Sequence, residues 1–132
     1  MKRATGSFEV SLQPLSNADV SSDDLLGRLL LTKKFNGDLT ATARGQMLSA
    51  GTATHGSAGY VAIDHVVGEL DGRKGSFVLQ HSGILNRSVS SLSIMVVPDS
   101  GTHELTGLTG TLSINIIGGT HFYDFIYSFP AN

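Results

Sequence analysis

Gly59-Tyr-Val-Ala-Ile-Asp-His-Val-Val-Gly-Glu-Leu-Asp-Gly-Arg-Lys-Gly-Ser-Phe-Val-Leu-Gln-His-Ser-Gly83 is two apolar runs meeting at Asp71-Gly72. Asp-Gly in that setting is the strongest short-range hairpin signal, because a type I′ turn needs φ > 0 at both central residues, which Asp and Gly tolerate. A two-residue loop fixes the register. Glu69 then faces Lys74 as an opposite-charge pair, Val66 faces Phe77, Asp64 faces Leu79 and Ala62 faces His81.

Side chains alternate across the pleat, so cross-strand partners share a face. One face of this hairpin carries Tyr60, Ala62, Asp64, Val66, Phe77, Leu79 and His81; the other carries Val61, Ile63, His65, Val67, Ser76, Val78 and Gln80. Both are largely apolar, whereas a one-sided sheet alternates apolar and polar cleanly. The expectation is burial on both sides, by a barrel interior on one and by a subunit or packed loop on the other.

Working outward, Ser7 to Gln13 alternates around Phe8, Val10 and Leu12 and reads as a first strand. Pro14 to Asp24 is rich in Ser, Asn and Asp without a period, and reads as a mobile loop with solvated carboxylates or as a lid. Leu25 to Phe35 fits either a helix capped by Ser22 or a strand in which Leu29, Leu31, Lys33 and Phe35 share a face and run into Asn36-Gly37. Gly27 inside the segment favours the strand. Strands over Asp38 to Leu48, Ser88 to Val97, Leu105 to Ile117 and His121 to Phe129 complete the set, the last with His121, Tyr123, Phe125, Tyr127 and Phe129 on one face. Eight strands joined mostly by short turns predict an all-β fold: a single eight-stranded antiparallel meander β-barrel over residues 1–132, with an interior for side chains or one small ligand.

Composition limits the function. The chain has 132 residues, 15% of them charged, with a formal net charge of −2. That favours one domain and offers no basic patch for nucleic acid or anionic lipid. There is no cysteine, hence no disulfide, thiolate metal site or cysteine nucleophile. Met1-Lys-Arg-Ala-Thr-Gly-Ser lacks the apolar run of a secretory signal, and no stretch approaches the ~20 apolar residues of a membrane span, so the expected location is cytoplasmic. His55, His65, His81, His103 and His121 give no His-x-His or His-x-x-x-His pair, and no metal or cofactor is expected. No Gly-x-Ser-x-Gly nucleophile elbow is present.

An internal echo links Gly68-Glu-Leu-Asp-Gly-Arg-Lys-Gly-Ser with His103-Glu-Leu-Thr-Gly-Leu-Thr-Gly-Thr, 35 residues on, in the pattern Glu-Leu-x-Gly-x-x-Gly-[Ser/Thr]. It reads as the start of a strand with one leucine plugging the barrel end and glycines where the backbone bends. It is no phosphate cradle, since strand-like residues follow where a helix should open.

Gly56-Ser-Ala-Gly-Tyr-Val-Ala-Ile, Gly75-Ser-Phe-Val-Leu-Gln-His-Ser-Gly, Val96-Val-Pro-Asp-Ser-Gly-Thr and Glu104-Leu-Thr-Gly-Leu-Thr-Gly-Thr, in that order, resemble the bacterial domain-of-unknown-function family 3224. The resemblance covers nearly the whole chain. It implies an allene-oxide-cyclase-like, lipocalin-like barrel and no established activity. Allene oxide cyclases isomerise an unsaturated fatty-acid epoxide inside the barrel and form trimers, but no catalytic residue of theirs can be placed on this chain, and fold does not fix function.

The hairpin register sets the candidate site. Tyr60 and Asp64 flank Ala62, which faces His81, so three polar groups point inward among Phe77, Leu79 and Val66. With Tyr123, the expected ligand-binding residues are Tyr60, Asp64, Phe77, His81 and Tyr123, and the bland alternative is a satisfied buried Asp64–His81 pair. Three readings follow. The first is a module holding a small apolar or amphipathic molecule. The others are a cofactor-free isomerase or cyclase, and a structural homo-oligomer with a filled barrel. The two-sided apolar strands favour a homo-oligomer in every case.

Overall fold

The computed structural model describes residues 1–15 and 25–130. Most of the stretch read as a loop or lid lies outside them. The described chain forms β1 (Lys2–Pro14), β2 (Leu26–Gly37), β3 (Leu39–Gly51), β4 (Ala58–Leu70), β5 (Arg73–Asn86), β6 (Val89–Val96), a 3-10 turn at His103–Leu105, β7 (Thr109–Ile117) and β8 (Thr120–Ser128). Each strand pairs antiparallel with its neighbour in sequence, and β1 closes onto β8, giving an eight-stranded barrel.

The central hairpin has the predicted register: Glu69↔Lys74, Val66↔Phe77, Asp64↔Leu79 and Ala62↔His81 are partners. Asp71 (φ 48°) and Gly72 (φ 85°) both occupy the left-handed region that the two-residue turn demands. Of the segment Leu25 to Phe35, the residues from Leu26 on are strand, paired with Ser11, Leu12 and Gln13 through Thr32, Leu31 and Leu30. Leu29 and Leu31 share the inward face of β2 with Lys33 and Phe35, while Leu26 and Leu30 lie on its other face. The seventh strand begins later than the sequence suggests, at Thr109, because Leu105 and Leu108 fold inward to fill the barrel end rather than joining the sheet.

Of the hairpin's two faces, the one with Asp64, Val66, Phe77, Leu79 and His81 lines the interior. The outer face is covered only in part. The segment between β6 and β7 packs on β5, where Ser76 N–H donates to Thr102 Oγ1 at 3.0 Å and Val78 N–H to Ser100 Oγ at 3.0 Å. Val61, Ile63 and Val67 stay about half exposed on the single chain.

The interior differs from end to end. Leu39, Leu70, Phe77, Leu105, Leu108, Phe125 and Tyr127 are buried together at the end carrying the β2–β3 and β4–β5 turns. Phe77 stacks on Phe125 at 5.8 Å between ring centroids. The two leucines of the internal echo, Leu70 and Leu105, are both within this plug. Towards the opposite end the same inward register carries Val10, Leu12, Leu85, Leu92 and Ile116, all of them exposed by more than a third. The barrel is filled at one end and open at the other.

Candidate functional site

Between plug and open end lies a charged group. Asp64 on β4 is wholly buried, and the side chains of Lys33 on β2 and His81 on β5 retain only 6% and 4% exposure. His81 Nε2 lies 2.8 Å from Asp64 Oδ1, and Lys33 Nζ lies 3.1 Å from Asp64 Oδ2. Lys33 Nζ also sits 5.6 Å above the centre of the Phe8 ring, close enough for a cation–π contact.

The strand between β2 and β4 explains how Lys33 and Asp64 meet. Ala43 is the β3 partner of Lys33, and Gly45 that of Asp64. These small inward residues leave room for the two long-reaching groups to close over them. A Cβ on Gly45 would stand 2.6 Å from the Asp64 Cα, so a side chain there would push the aspartate off its strand.

Burial pushes the Asp64 carboxyl up. The hydrogen bond from His81 and the charge of Lys33 outweigh it, leaving the group below the ordinary carboxylate range. Asp64 is therefore a carboxylate, which only accepts, so His81 Nε2 carries the proton and donates it. Oδ1 thus accepts from His81, while Oδ2, wholly buried, has the Lys33 ammonium 3.1 Å away as its ion-pair partner but accepts no hydrogen bond. Among the described residues His81 Nδ1 and the remaining Lys33 N–H groups have no protein hydrogen-bond partner.

Tyr60 stands towards the open end, partly buried, with its hydroxyl making no hydrogen bond among the described residues. Burial raises its pKa. Its ring lies against Gly83, where a Cβ would come within 2.2 Å of Tyr60 Cε1. Tyr60, Met47, Gly83, Leu85 and Leu92 line a pocket of about 400 Å³ at the rim.

The structure thus brings Asp64 and His81 together, with Tyr60 beyond them on the same inner wall. It does not bring Phe77 or Tyr123 to that place. Phe77 belongs to the plug. The Tyr123 hydroxyl accepts from Leu39 N–H at 2.8 Å and reaches the carbonyls of Asn36 and Leu39 at 2.9 and 3.2 Å, so it ties β8 to the β2–β3 turn.

Lys33 is the member that reasoning from the hairpin missed. The signal was present: a lysine in phase with Leu29, Leu31 and Phe35 points into an apolar interior, where a charge needs a partner. Among the described residues no three His, Asp or Glu side chains are grouped to hold a metal ion. None of the described helices is long and apolar enough to cross a membrane.

These features define a class, the small closed eight-stranded antiparallel barrel with one charged cluster across an otherwise apolar interior. The chain belongs to the family "Protein of unknown function (DUF3224)", whose profile matches residues 4–127. The solved structure of a DUF3224-family protein of unknown function from Shewanella oneidensis MR-1 is 51% identical to it, with a TM-score of 0.94 over 100% of this chain and 99% of that one. A comparison with curated proteins gives no match.

Proposed function

We propose that the protein binds a small apolar or amphipathic molecule in the open end of the barrel, above Lys33, Asp64 and His81 and beside Tyr60. The observation that carries this reading is the contrast inside one barrel. An end filled to the core stands opposite an end where inward-facing Leu12, Leu85, Leu92 and Ile116 remain exposed, with buried polar groups between them. Apolar walls with a few convergent polar groups are the usual make-up of a small-molecule site.

Native mass spectrometry of the protein purified from its own host, under gentle and then denaturing conditions, tests this. A co-purifying small molecule, lost from a Leu92→Asp variant that still folds, is the expected result. Bare protein together with undisturbed Tyr60 and His81 resonances across an amphiphile panel would favour the reading in which the barrel only scaffolds an assembly.

A second observation favours a homo-oligomer. Leu48, Val61, Ile63, Val67, Ile84 and Met95 form an outward-facing series on β3 to β6, each between 45% and 56% exposed. Contiguous apolar surface of this kind marks interaction sites on soluble proteins. Sedimentation of a single monomeric species at micromolar concentration would overturn it; a shift to monomer in Ile63→Asp would support it.

A further inference from the structure

Building on the small-molecule reading, we propose that the ligand carries an anionic group, a carboxylate on an apolar body. This group seats against Lys33 Nζ and His81 Nδ1, and its binding takes up one proton on His81.

Asp64 is the only acidic side chain among the described inward-facing residues of the site, and both its oxygens already face nitrogen, one at 2.8 Å and one at 3.1 Å. What the cluster still has to offer is the remaining N–H groups of Lys33 and the Nδ1 of His81. Its slight exposure also belongs to the lysine and the histidine, the carboxylate having none. A cationic ligand would meet the Lys33 ammonium first, since Asp64 Oδ2, although it accepts no hydrogen bond, has no exposed surface and faces that ammonium. An anion instead finds charged N–H donors in a dry setting, where such hydrogen bonds are strongest.

The charge count gives the proton. Lys33 and Asp64 cancel, and with Nε2–H turned to Asp64 a neutral imidazole presents a lone pair at Nδ1. A carboxylate set against that lone pair is repelled, and in an apolar surround an uncompensated charge is costly. A proton from solvent on Nδ1 turns the contact into N–H···O and restores neutrality to the four-group cluster. No covalent bond changes. The other titratable groups on the inward register are Tyr60 on β4 and His121 on β8 at the open half, and, at the plugged end, the exposed Arg73 of β5 with Tyr123 and Tyr127, whose hydroxyls are held there. The described inward positions of β3, β6 and β7 carry none, and neither do those of β1 near the cluster.

The test uses the unmodified protein, with straight-chain carboxylates from butanoate to decanoate and the primary alcohols of matching length as probes. Calorimetry in buffers of different ionisation enthalpy reads proton uptake, and nitrogen-15 spectra of the imidazoles read which nitrogen gains it. The expected result is that the acids bind at least about tenfold more tightly than the alcohols, as a charge-assisted pair should. Proton uptake accompanies only the acids. Their affinity falls by up to about tenfold per pH unit where His81 is neutral in the unliganded protein, while that of the alcohols is flat.

His81→Gln removes both the uptake and the pH slope. Lys33→Met alone strands Asp64 as an unpaired buried charge, so Lys33→Met combined with Asp64→Asn replaces it, and loses the preference for acid. Equal binding of acids and alcohols without proton uptake overturns the inference and leaves the small-molecule reading standing. No perturbation of Lys33, His81 or Tyr60 by either series at millimolar concentration overturns both.

Discussion

The two ends of the barrel are built from the same alternation of inward and outward residues, and they differ in what occupies the inward positions. At the end bearing the Asp71-Gly72 turn, aromatic rings and leucines from β3, β4, β5, β8 and the β6–β7 connection fill the space to complete burial. At the other end the inward Val10, Leu12, Leu85, Leu92 and Ile116 are exposed to solvent. A barrel of eight strands has just enough interior for side chains to fill or for one small ligand. This chain divides that interior between the two uses, and the Lys33–Asp64–His81 cluster lies at the division.

The largest effects should come from the boundary and the plug. Asp64→Leu strands Lys33 and is expected to cost about 3–5 kcal/mol in urea unfolding, whereas pairing it with Lys33→Met should recover most of the loss. Phe77→Ala, which opens a cavity against Phe125, is expected to cost a similar amount, about 3–5 kcal/mol. If Leu12→Ala or Leu92→Ala at the open end costs as much, the two ends are not different in kind. The expected value there is below about 1 kcal/mol, in line with sites outside the core.

An intermediate effect belongs to Tyr123. Tyr123→Phe leaves the buried Leu39 N–H without its acceptor and should cost about 1–3 kcal/mol with no change in ligand affinity, since the hydroxyl serves the turn. A loss of affinity with stability kept would return Tyr123 to the binding site.

The two regions should also titrate at opposite extremes. The Asp64 carboxyl is held below its ordinary value of 3.8. Its contribution is therefore present above the unfolded value and lost as pH falls through the lower folded one, and Asp64→Asn should flatten the acid limb of the stability profile. At the plugged end Tyr127 donates to the Asp71 carboxylate. Burial, with help from that bond and from the Asp71 charge, pushes its pKa from 10.0 up to about 12. The sign is reversed: that stability is complete below pH 10.0 and fades as pH rises towards 12. Tyr127→Phe should remove this alkaline component and leave the acid limb as it was.

How far the site was legible follows from distance along the chain. Asp64, Ala62 and His81 share a hairpin, so one turn fixes their relation. Tyr60 follows from parity on the same strand. Lys33 sits two strands away, and only the smallness of Ala43 and Gly45 brings it to Asp64. Tyr123 was legible as an inward aromatic, but its hydroxyl is claimed by backbone more than eighty residues earlier, around Asn36 and Leu39.

The sequence by itself determined the strands, the register of the central hairpin, the separation of its two faces and the plugging role of Leu70 and Leu105. These depend on turn stereochemistry and on a side-chain period of two, which act between neighbours. Only the tertiary structure decided which face lies inside, where the interior fills and where it stays open, and that Lys33 completes the charged cluster. Those follow from closing β1 onto β8, which sets side chains far apart in sequence against one another across a space that no single strand encloses.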